Sequence, residues 1–258
     1  MTDAPLFIDR TQAGKKLAQV IQSYLQGQFT EFGVNPVPIV YALPRGGLPV
    51  AAPIADLLGC PLTVVVAKKI SHPKNSELAI GAVTASGKVL WADQKMFRFL
   101  PNLIQRHEAM EIAIAKAKSL ESQFLPFCPA VNPKGATLIL VDDGIATGMT
   151  IAVAAMALKN LAPAQIIICS PVAPPNLIPW LENCGDTSLE NCDMPLALGS
   201  TYREASDTSE NSHTLHPYQP NSIIVLATPE AFISVSNFYV EFPQVETSEA
   251  LAYLQQRS

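Results

Sequence analysis

Two adjacent carboxylates, followed by a loop of small and hydroxyl-bearing residues, form the stretch most suited to chemistry. Asp142 and Asp143 come directly after the apolar run Thr137–Val141, which is typical of a strand buried on both faces of a parallel sheet. Gly144 to Met149 then turn the chain, and Thr150 opens an apolar helical stretch. A loop at a helix N-terminus presents free backbone N–H groups and the positive end of the helix dipole. The pattern therefore predicts a phosphate-binding site at the carboxyl end of a strand.

A second strand, turn and helix lie nearer the N-terminus. The strand Pro38–Ala42 is followed by the turn Leu43-Pro-Arg-Gly-Gly47 and by an apolar helical stretch that ends at Gly59. Small residues in the turn let the backbone approach a ligand, and Arg45 can bind phosphate oxygens with two parallel hydrogen bonds. A further apolar strand, Leu62 to Ala67, ends in Lys68-Lys69.

Together these segments resemble the signature of the type I phosphoribosyltransferases. Val141 to Thr150, VDDGIATGMT, has the family's order of hydrophobic strand, acidic pair, three residues, Thr-Gly and Thr. Leu43 to Gly47 is similar to the family's pyrophosphate-binding turn, and Val66 to Lys69 to the strand end that carries its basic residue. The resemblance runs from about Thr11 to Leu181. The chain is also similar to a little-characterised bacterial branch of predicted phosphoribosyltransferases, in the segments ALPRGG, ELAIGAV, VDDGIATG, PVAPP and LATPEAF.

The resemblance implies a fold and an activity. The fold is α/β, with a parallel sheet flanked by helices and a small hood. The activity is Mg²⁺-dependent transfer of 5-phosphoribosyl from phosphoribosyl pyrophosphate to a nitrogen nucleophile, such as a nucleobase, with release of pyrophosphate. It would make the protein a pentosyltransferase of nucleotide metabolism.

The family's residue roles carry over onto matching positions of this chain. Asp142 and Asp143 would face the ribose hydroxyls and orient the water shell of Mg²⁺, and Arg45 and Lys69 would complete the catalytic set. Residues implied to bind phosphoribosyl pyrophosphate are Arg45, Gly46, Lys69, Asp142, Asp143, Gly144, Ala146, Thr147, Gly148, Met149 and Thr150.

Other interpretations of the same residues stay open. The acidic pair could cap the next helix, Arg45 could be a surface arginine, and Lys69 a solvated lysine at a strand end. A regulator that binds phosphoribosyl pyrophosphate or a nucleotide without turning it over would carry the same motifs, since a fold does not fix a function. A phosphatase or hydrolase could use the same phosphate site, and it would release product without any base.

Composition bounds the partners and the compartment. The formal net charge of -5 argues against a broad nucleic-acid surface, so anion binding must come from local groups. The N-terminus lacks the pattern of a signal peptide, and no apolar run approaches the roughly 20 residues of a membrane helix.

Five scattered cysteines indicate a reduced, cytoplasmic protein. The spacings of Cys184, Cys192, His213 and His216 do not match structural zinc sites. Dimers are common in the family, but no residue pattern predicts a homodimer.

The chain divides into three parts by composition. Residues 1–181 form the predicted core, which includes a mobile polar loop at 70–77 and a helix at 102–124. Residues 182–221, rich in Ser, Thr, Asn, Glu and Pro, are predicted to form a long surface insertion with disorder in part of it. Residues 222–258 carry a strand, an aromatic segment and a last helix.

Patterning within these parts predicts the remaining elements. Asp9 caps a helix that runs to about Gln28. Strands alternate with helices, which predicts parallel, right-handed connections. A β-hairpin at 78–92 turns at Ser86-Gly87, and the hood comes from the C-terminal segment together with this hairpin. The predicted helix 102–124 is assigned to packing or to an oligomer contact rather than to chemistry.

Overall fold

A computed structural model describes residues 5–32, 37–92, 101–184 and 221–257. In chain order its elements are α1 (Arg10–Phe32), β1 (Pro38–Ala42), α2 (Gly47–Leu58), β2 (Leu62–Val64), β3 (Ala67–His72), β4 (Asn75–Thr84), β5 (Val89–Trp91), α3 (Leu103–Phe124), β6 (Thr137–Val141), α4 (Met149–Lys159), β7 (Gln165–Val172), α5 (Ile178–Asn183), β8 (Ser222–Ala227) and α6 (Thr247–Gln255).

Five parallel strands form the main sheet, in the order β2-β1-β6-β7-β8. Successive residues of a strand point to opposite faces, so the sheet divides two cores. Val40 and Val141 pack with α1 and α2 on one face, whereas Tyr41 and Leu140 pack with α4 on the other. Every residue of β6 is buried, as its apolar sequence predicts. The predicted class, a parallel α/β sheet flanked by helices, is confirmed.

The order of the strands reverses at β1. The chain leaves β1 through α2 to β2 on one side, and it returns later to place β6 on the other side. In register, Ala42 lies opposite Val141, and the N–H of Leu43 donates to the carbonyl of Val141 at 2.9 Å. Open α/β sheets bind ligands beyond the carboxyl ends of the strands at such a reversal. The turns after β1 and β6 therefore meet at the edge where a ligand is expected.

Helix α1 is fixed at its start and against α2. The Asp9 carboxylate accepts the N–H of Gln12 at 2.7 Å, which is the predicted cap, and the helix ends at Phe32 rather than near Gln28. Gly14 lets α1 approach α2 closely, because an added Cβ would lie 2.4 Å from the carbonyl oxygen of Val50.

The segment after β2 differs from its prediction. The expected strand at 62–67 is divided, since the N–H of Val65 donates to Ala42 while the carbonyl of Val66 accepts from Ala85. The chain thus leaves the main sheet and enters a separate antiparallel sheet, β3-β4-β5. Lys68 and Lys69 therefore lie inside β3 rather than at the end of a strand.

The prediction that residues 70–77 form a loop is also wrong, whereas their mobility stays a prediction. These residues form the end of β3, a turn at Pro73-Lys74 and the start of β4. Polar residues obscured the strands because the hairpin end is exposed, yet Ile70 is fully buried against α3 with Val83 and Ala113. The hairpin expected at 78–92 is present as β4 and β5, where Val83 pairs with Val89.

The remaining elements frame the sheet. Helix α3 lies where a helix was expected, and Asn102 and Gln105 form a capping box at its start. Among the described residues, no helix is long and apolar enough to cross a membrane. The insertion predicted at 182–221 falls outside the described residues from 185 to 220, as do Cys192, His213 and His216. Among the described residues, Cys60, Cys128 and Cys169 are free thiols. The division of the chain into three parts remains a prediction.

Two glycines of α1 should respond oppositely to alanine. We expect Gly14→Ala to destabilise the protein by about 1–3 kcal/mol, because the new methyl group would force α1 away from the backbone of α2. Gly27 has nothing within 4 Å of an added Cβ, so Gly27→Ala should stabilise by up to about 1 kcal/mol through helix propensity. Urea unfolding of both variants measures this contrast, and similar effects at the two positions would contradict the α1–α2 packing.

Candidate active site

The turns after β1 and β6 are in direct contact. An added Cβ at Gly46 would lie 2.1 Å from Oδ2 of Asp143, and one at Gly47 would lie 2.7 Å from the carbonyl oxygen of Val141. No other residue type fits at Gly46 without moving the Asp143 carboxylate. The turn predicted to bind pyrophosphate and the acidic pair thus form one continuous surface.

The loop after the acidic pair leads into α4. Gly148 adopts φ +76°, a left-handed conformation that favours glycine, and no side chain caps the start of α4. The first N–H groups of a helix have no partner within the helix. Ala146 and Thr147 are exposed, and Thr150 is half-buried. The side chain of Met149 is buried in the core at 3% exposure, so this residue can offer only its backbone to a ligand.

The two carboxylates have different surroundings. Oδ2 of Asp143 accepts from Nε of Arg10 at 2.7 Å, whereas Oδ1 of Asp142 accepts the N–H of Asp143 at 2.9 Å. Burial, and secondly the Asp143 charge, raise the pKa of Asp142 well above its ordinary value. Burial also raises the pKa of Asp143, although the hydrogen bond and the charge of Arg10 act against it. The ionised pair is therefore poorly solvated and would gain from a nearby cation or hydroxyl donors.

The C-terminal segment, which we define as residues 228–246, lies against the acidic pair. The hydroxyl of Tyr239 donates to the carbonyl of Asp143 at 2.6 Å. Val235 packs against Gly144 so closely that an added Cβ there would lie 2.1 Å from Cγ1 of Val235. The C-terminal segment was predicted to supply the hood, and it borders the site from this side.

Arg45 faces the start of α6. Its Nη1 lies 3.3 Å from Oγ1 of Thr247 and 3.6 Å from Oε2 of Glu246. The Arg45 side chain keeps 29% of its surface exposed, so these contacts are partly open to water. An arriving anion could displace the Glu246 carboxylate from the guanidinium at modest cost.

The two lysines of β3 differ in their surroundings. The pKa of Lys68 is lowered by burial and then by the charges of Arg45 and Lys116, so Lys68 lies within electrostatic range of Arg45. Nζ of Lys69 instead lies 3.8 Å from Oε2 of Glu77, and Lys69 lines a groove of about 320 Å³ between the β3–β4 hairpin and α3. The charge of Arg45 thus acts on Lys68, although the sequence pattern favoured Lys69 for the pyrophosphate.

Arg10 was missed by the sequence reasoning. It is a charged residue with only 8% exposure, and it lies at the first position of α1. The small residues Ala13 and Gly14 that follow it indicate close packing, and this was the one local signal available.

The donor chemistry of the site suits Mg²⁺. Among the described residues, no group of three or more His, Cys, Asp or Glu side chains could hold a metal on its own. Mg²⁺ commonly binds through one or two carboxylates, several waters and substrate phosphates. Asp142 and Asp143 provide such a pair of oxygen donors.

The comparisons with known proteins agree with this geometry. The family model described as "Phosphoribosyl transferase domain" matches residues 8–179. A Mycobacterium tuberculosis protein, named "Putative phosphoribosyl transferase" in strains CDC 1551 and H37Rv, is 29% identical over 213 residues. That alignment covers 80% of this chain and 45% of the relative, so the chain spans less than half the length of these relatives. The crystal structure of TT1426 from Thermus thermophilus is similar in fold, with a TM-score of 0.64 and 24% identity over 97% of this chain and 98% of that one.

The fold and the site define a doubly wound α/β protein in which the Gly46-Gly47 turn meets the acidic pair at the strand reversal. On the family match, the chain belongs to the phosphoribosyl transferase domain family.

The carboxylates should differ when each is made neutral. Because the pKa of Asp142 is raised in the folded protein, this residue contributes stability at pH values below its pKa in the unfolded chain, about 3.9. That contribution is lost as pH rises through the pKa of the folded state. Asp142→Asn should therefore raise Tm at pH 7, and the gain should vanish near pH 3.

Asp143→Asn should raise Tm at pH 7 by less than Asp142→Asn, because the folded pKa of Asp143 is also raised but the loss of the counter-charge of buried Arg10 offsets part of the gain. Thermal unfolding of both variants across pH provides the measurement. A gain in Tm from Asp143→Asn that equals or exceeds the gain from Asp142→Asn would contradict the assigned surroundings.

Proposed function

We propose that the protein transfers the 5-phosphoribosyl group of phosphoribosyl pyrophosphate to a nitrogen nucleophile, such as a nucleobase, and releases pyrophosphate. Mg²⁺ is the proposed cofactor. The observation that carries the proposal is the contact between Gly46 and the Asp143 carboxylate beside the uncapped start of α4. This arrangement places an arginine turn, two carboxylates and free helix N–H groups at one edge of the sheet.

Each part of the site suits one part of the substrate. The backbone N–H groups from Thr147 to Thr150, with the two threonine hydroxyls, bind the 5-phosphate. Asp142 and Asp143 accept hydrogen bonds from the ribose hydroxyls. Arg45 and Gly46 bind the pyrophosphate, together with a lysine of β3.

The chemistry follows from those positions. Cleavage of the bond between C1′ and oxygen passes through an oxocarbenium-like state, as in glycoside hydrolysis. The carboxylates lie where positive charge develops on the ribose, and Arg45 lies where negative charge develops on the leaving group. Bound Mg²⁺ would act as a Lewis acid on the pyrophosphate. The chain's own residues position the substrates and stabilise charge, and they transfer no group themselves.

A second candidate function is a sensor that binds phosphoribosyl pyrophosphate or a nucleotide without turnover. The contacts of Arg45 with Glu246 and Thr247 favour it, because an anion that takes the guanidinium would release the start of α6. Pyrophosphate release in the presence of bases distinguishes an enzyme from this sensor.

Calorimetric titration with phosphoribosyl pyrophosphate and Mg²⁺ tests the site. We expect wild type to bind. The double variant Asp142→Asn/Asp143→Asn should bind at least about tenfold more weakly, because losing a single charge-assisted hydrogen bond already weakens binding by that factor. Asp56→Asn is the matched control, because this carboxylate pairs with Arg257 on an exposed surface. Its affinity should equal that of wild type.

The outcomes separate the candidate functions. Binding by wild type together with pyrophosphate release, found by screening candidate bases, supports the transferase. Binding without release across purines, pyrimidines and simple amines supports the sensor, and release without any base supports a hydrolase. Absence of phosphoribosyl pyrophosphate binding by wild type overturns the transferase, and the sensor then stands only if a nucleotide binds.

Substitutions of the basic residues test the pyrophosphate end. We expect Arg45→Ala to lower turnover about 10²–10³-fold, as when one charge-stabilising donor is lost. Because Lys68 lies in range of Arg45 while Lys69 contacts Glu77, we expect Lys68→Ala to lower turnover more than Lys69→Ala. A change below threefold in Arg45→Ala would remove Arg45 from the site, and the reverse order of the lysines would restore Lys69 as the pyrophosphate ligand.

A further inference from the structure

Arg10 joins three parts of the molecule at the acidic pair. Its Nε donates to Oδ2 of Asp143 at 2.7 Å, and its Nη1 donates to the carbonyl of Pro243 at 2.7 Å. Its guanidinium carbon lies 3.6 Å from the centre of the Phe242 ring. Stacking and two hydrogen bonds fix the plane of the guanidinium, which a lysine could not reproduce.

The helix that carries Arg10 is itself held firmly. Asp9 caps its first turn, and Gly14 lies against the backbone of Val50 in α2. Because Arg10 is the first residue of α1, its Cα has little freedom to move. The position of Arg10 is therefore transmitted to the Asp143 carboxylate.

Asp143 is confined from the other sides as well. Gly46 lies against the same oxygen, Oδ2, that Arg10 binds, and Tyr239 holds the Asp143 backbone carbonyl. Arg10 thus binds Oδ2, the oxygen nearer to Gly46, whereas Oδ1 lies farther away, at 3.2 Å from the position of an added Cβ. A carboxylate held in this way loses little entropy when it binds a hydroxyl donor.

We propose that Arg10 is a positioning residue, which fixes the rotamer of Asp143 so that Oδ1 faces the ribose hydroxyls of the substrate. This inference rests on the proposed function, because it assigns the fixed carboxylate to the ribose. Arg10 does not touch the substrate, and it acts through Asp143 alone.

The alternative is a purely structural tie between α1 and the C-terminal segment. Such a tie would change the stability of the fold but would leave the affinity and turnover of the folded molecules unchanged. A positioning role changes turnover beyond any effect on stability, since a displacement near 1 Å can cost about 10²-fold in rate.

The test compares Arg10→Met and Arg10→Lys with wild type. Methionine keeps much of the length and the apolar contact with Phe242, but it removes both hydrogen bonds. Lysine keeps the charge but has one donor nitrogen in place of the two that Arg10 uses. We measure Tm, the Kd for phosphoribosyl pyrophosphate with Mg²⁺, and kcat and KM with the acceptor found by screening, all at a temperature where each variant is folded.

We expect Arg10→Met to lower kcat about 10²-fold and to raise the Kd about tenfold. The kcat of Arg10→Lys should be at least about tenfold higher than that of Arg10→Met. Arg257→Met is the matched control, because Arg257 also pairs with a carboxylate, Asp56, and also ties a C-terminal element to the core. It should lower Tm without changing kcat or Kd.

Tyr239→Phe extends the test if Arg10→Met does not fold. It removes only the hydroxyl that holds the Asp143 carbonyl, and it leaves the Arg10 charge in place. We expect kcat of Tyr239→Phe to fall less, by about tenfold. In the double variant with Arg10→Lys, the combined loss of kcat should be smaller than the two single losses together, because both changes release the same carboxylate.

The outcomes keep the two proposals apart. Suppose that wild type binds and turns over substrate, and that Arg10→Met lowers Tm but leaves kcat and Kd unchanged. The positioning role is then overturned and the proposed function stands. If Arg10→Met does not fold, the same result for Arg10→Lys and Tyr239→Phe leads to the same conclusion. If wild type does not bind phosphoribosyl pyrophosphate, the proposed function fails and this inference fails with it. A fall in kcat equal to that of Arg257→Met would also overturn it.

Discussion

The parallel register between β1 and β6 determines where the chemistry of this protein can occur. Because Ala42 lies opposite Val141, the turns that follow the two strands begin at the same level and face each other. Gly46 then lies against the Asp143 carboxylate, a contact that leaves no room for a side chain at position 46. A slip of one residue would turn the buried side chains of β6 to the wrong faces and separate the two turns.

Burial gives the acidic pair its character. The carboxylates lie at the end of a fully buried strand, with the C-terminal segment beside them, and burial raises the pKa of both. Arg10 partly compensates Asp143 but leaves Asp142 with the stronger shift. A poorly solvated pair of this kind costs stability in the free protein, and cations or hydroxyl donors of a ligand would relieve that cost. Such stored electrostatic cost is common at functional sites.

The C-terminal segment connects the site to the rest of the chain. It contacts Gly144 through Val235, Asp143 through Tyr239 and Arg10 through Pro243, and Glu246 at its end reaches Arg45. Both ends of the proposed substrate site therefore meet one continuous stretch of backbone. A ligand that displaces Glu246 from Arg45 would therefore alter a contact of this segment.

The sequence alone determined the elements that local pattern controls. The apolar strands β1 and β6, the glycine turns after them and the capped helix α1 each carry their own signal, and the order of these signals identified the family before any geometry. Tertiary structure decided what no local pattern encodes. The strand expected at 62–67 divides because Val65 and Val66 bond to different sheets, and polar residues at 70–77 form strands because Ile70 finds a buried surface on α3. Arg10 joins Asp143 only because the fold brings residues 133 positions apart to 2.7 Å, a contact that no spacing along the chain could reveal.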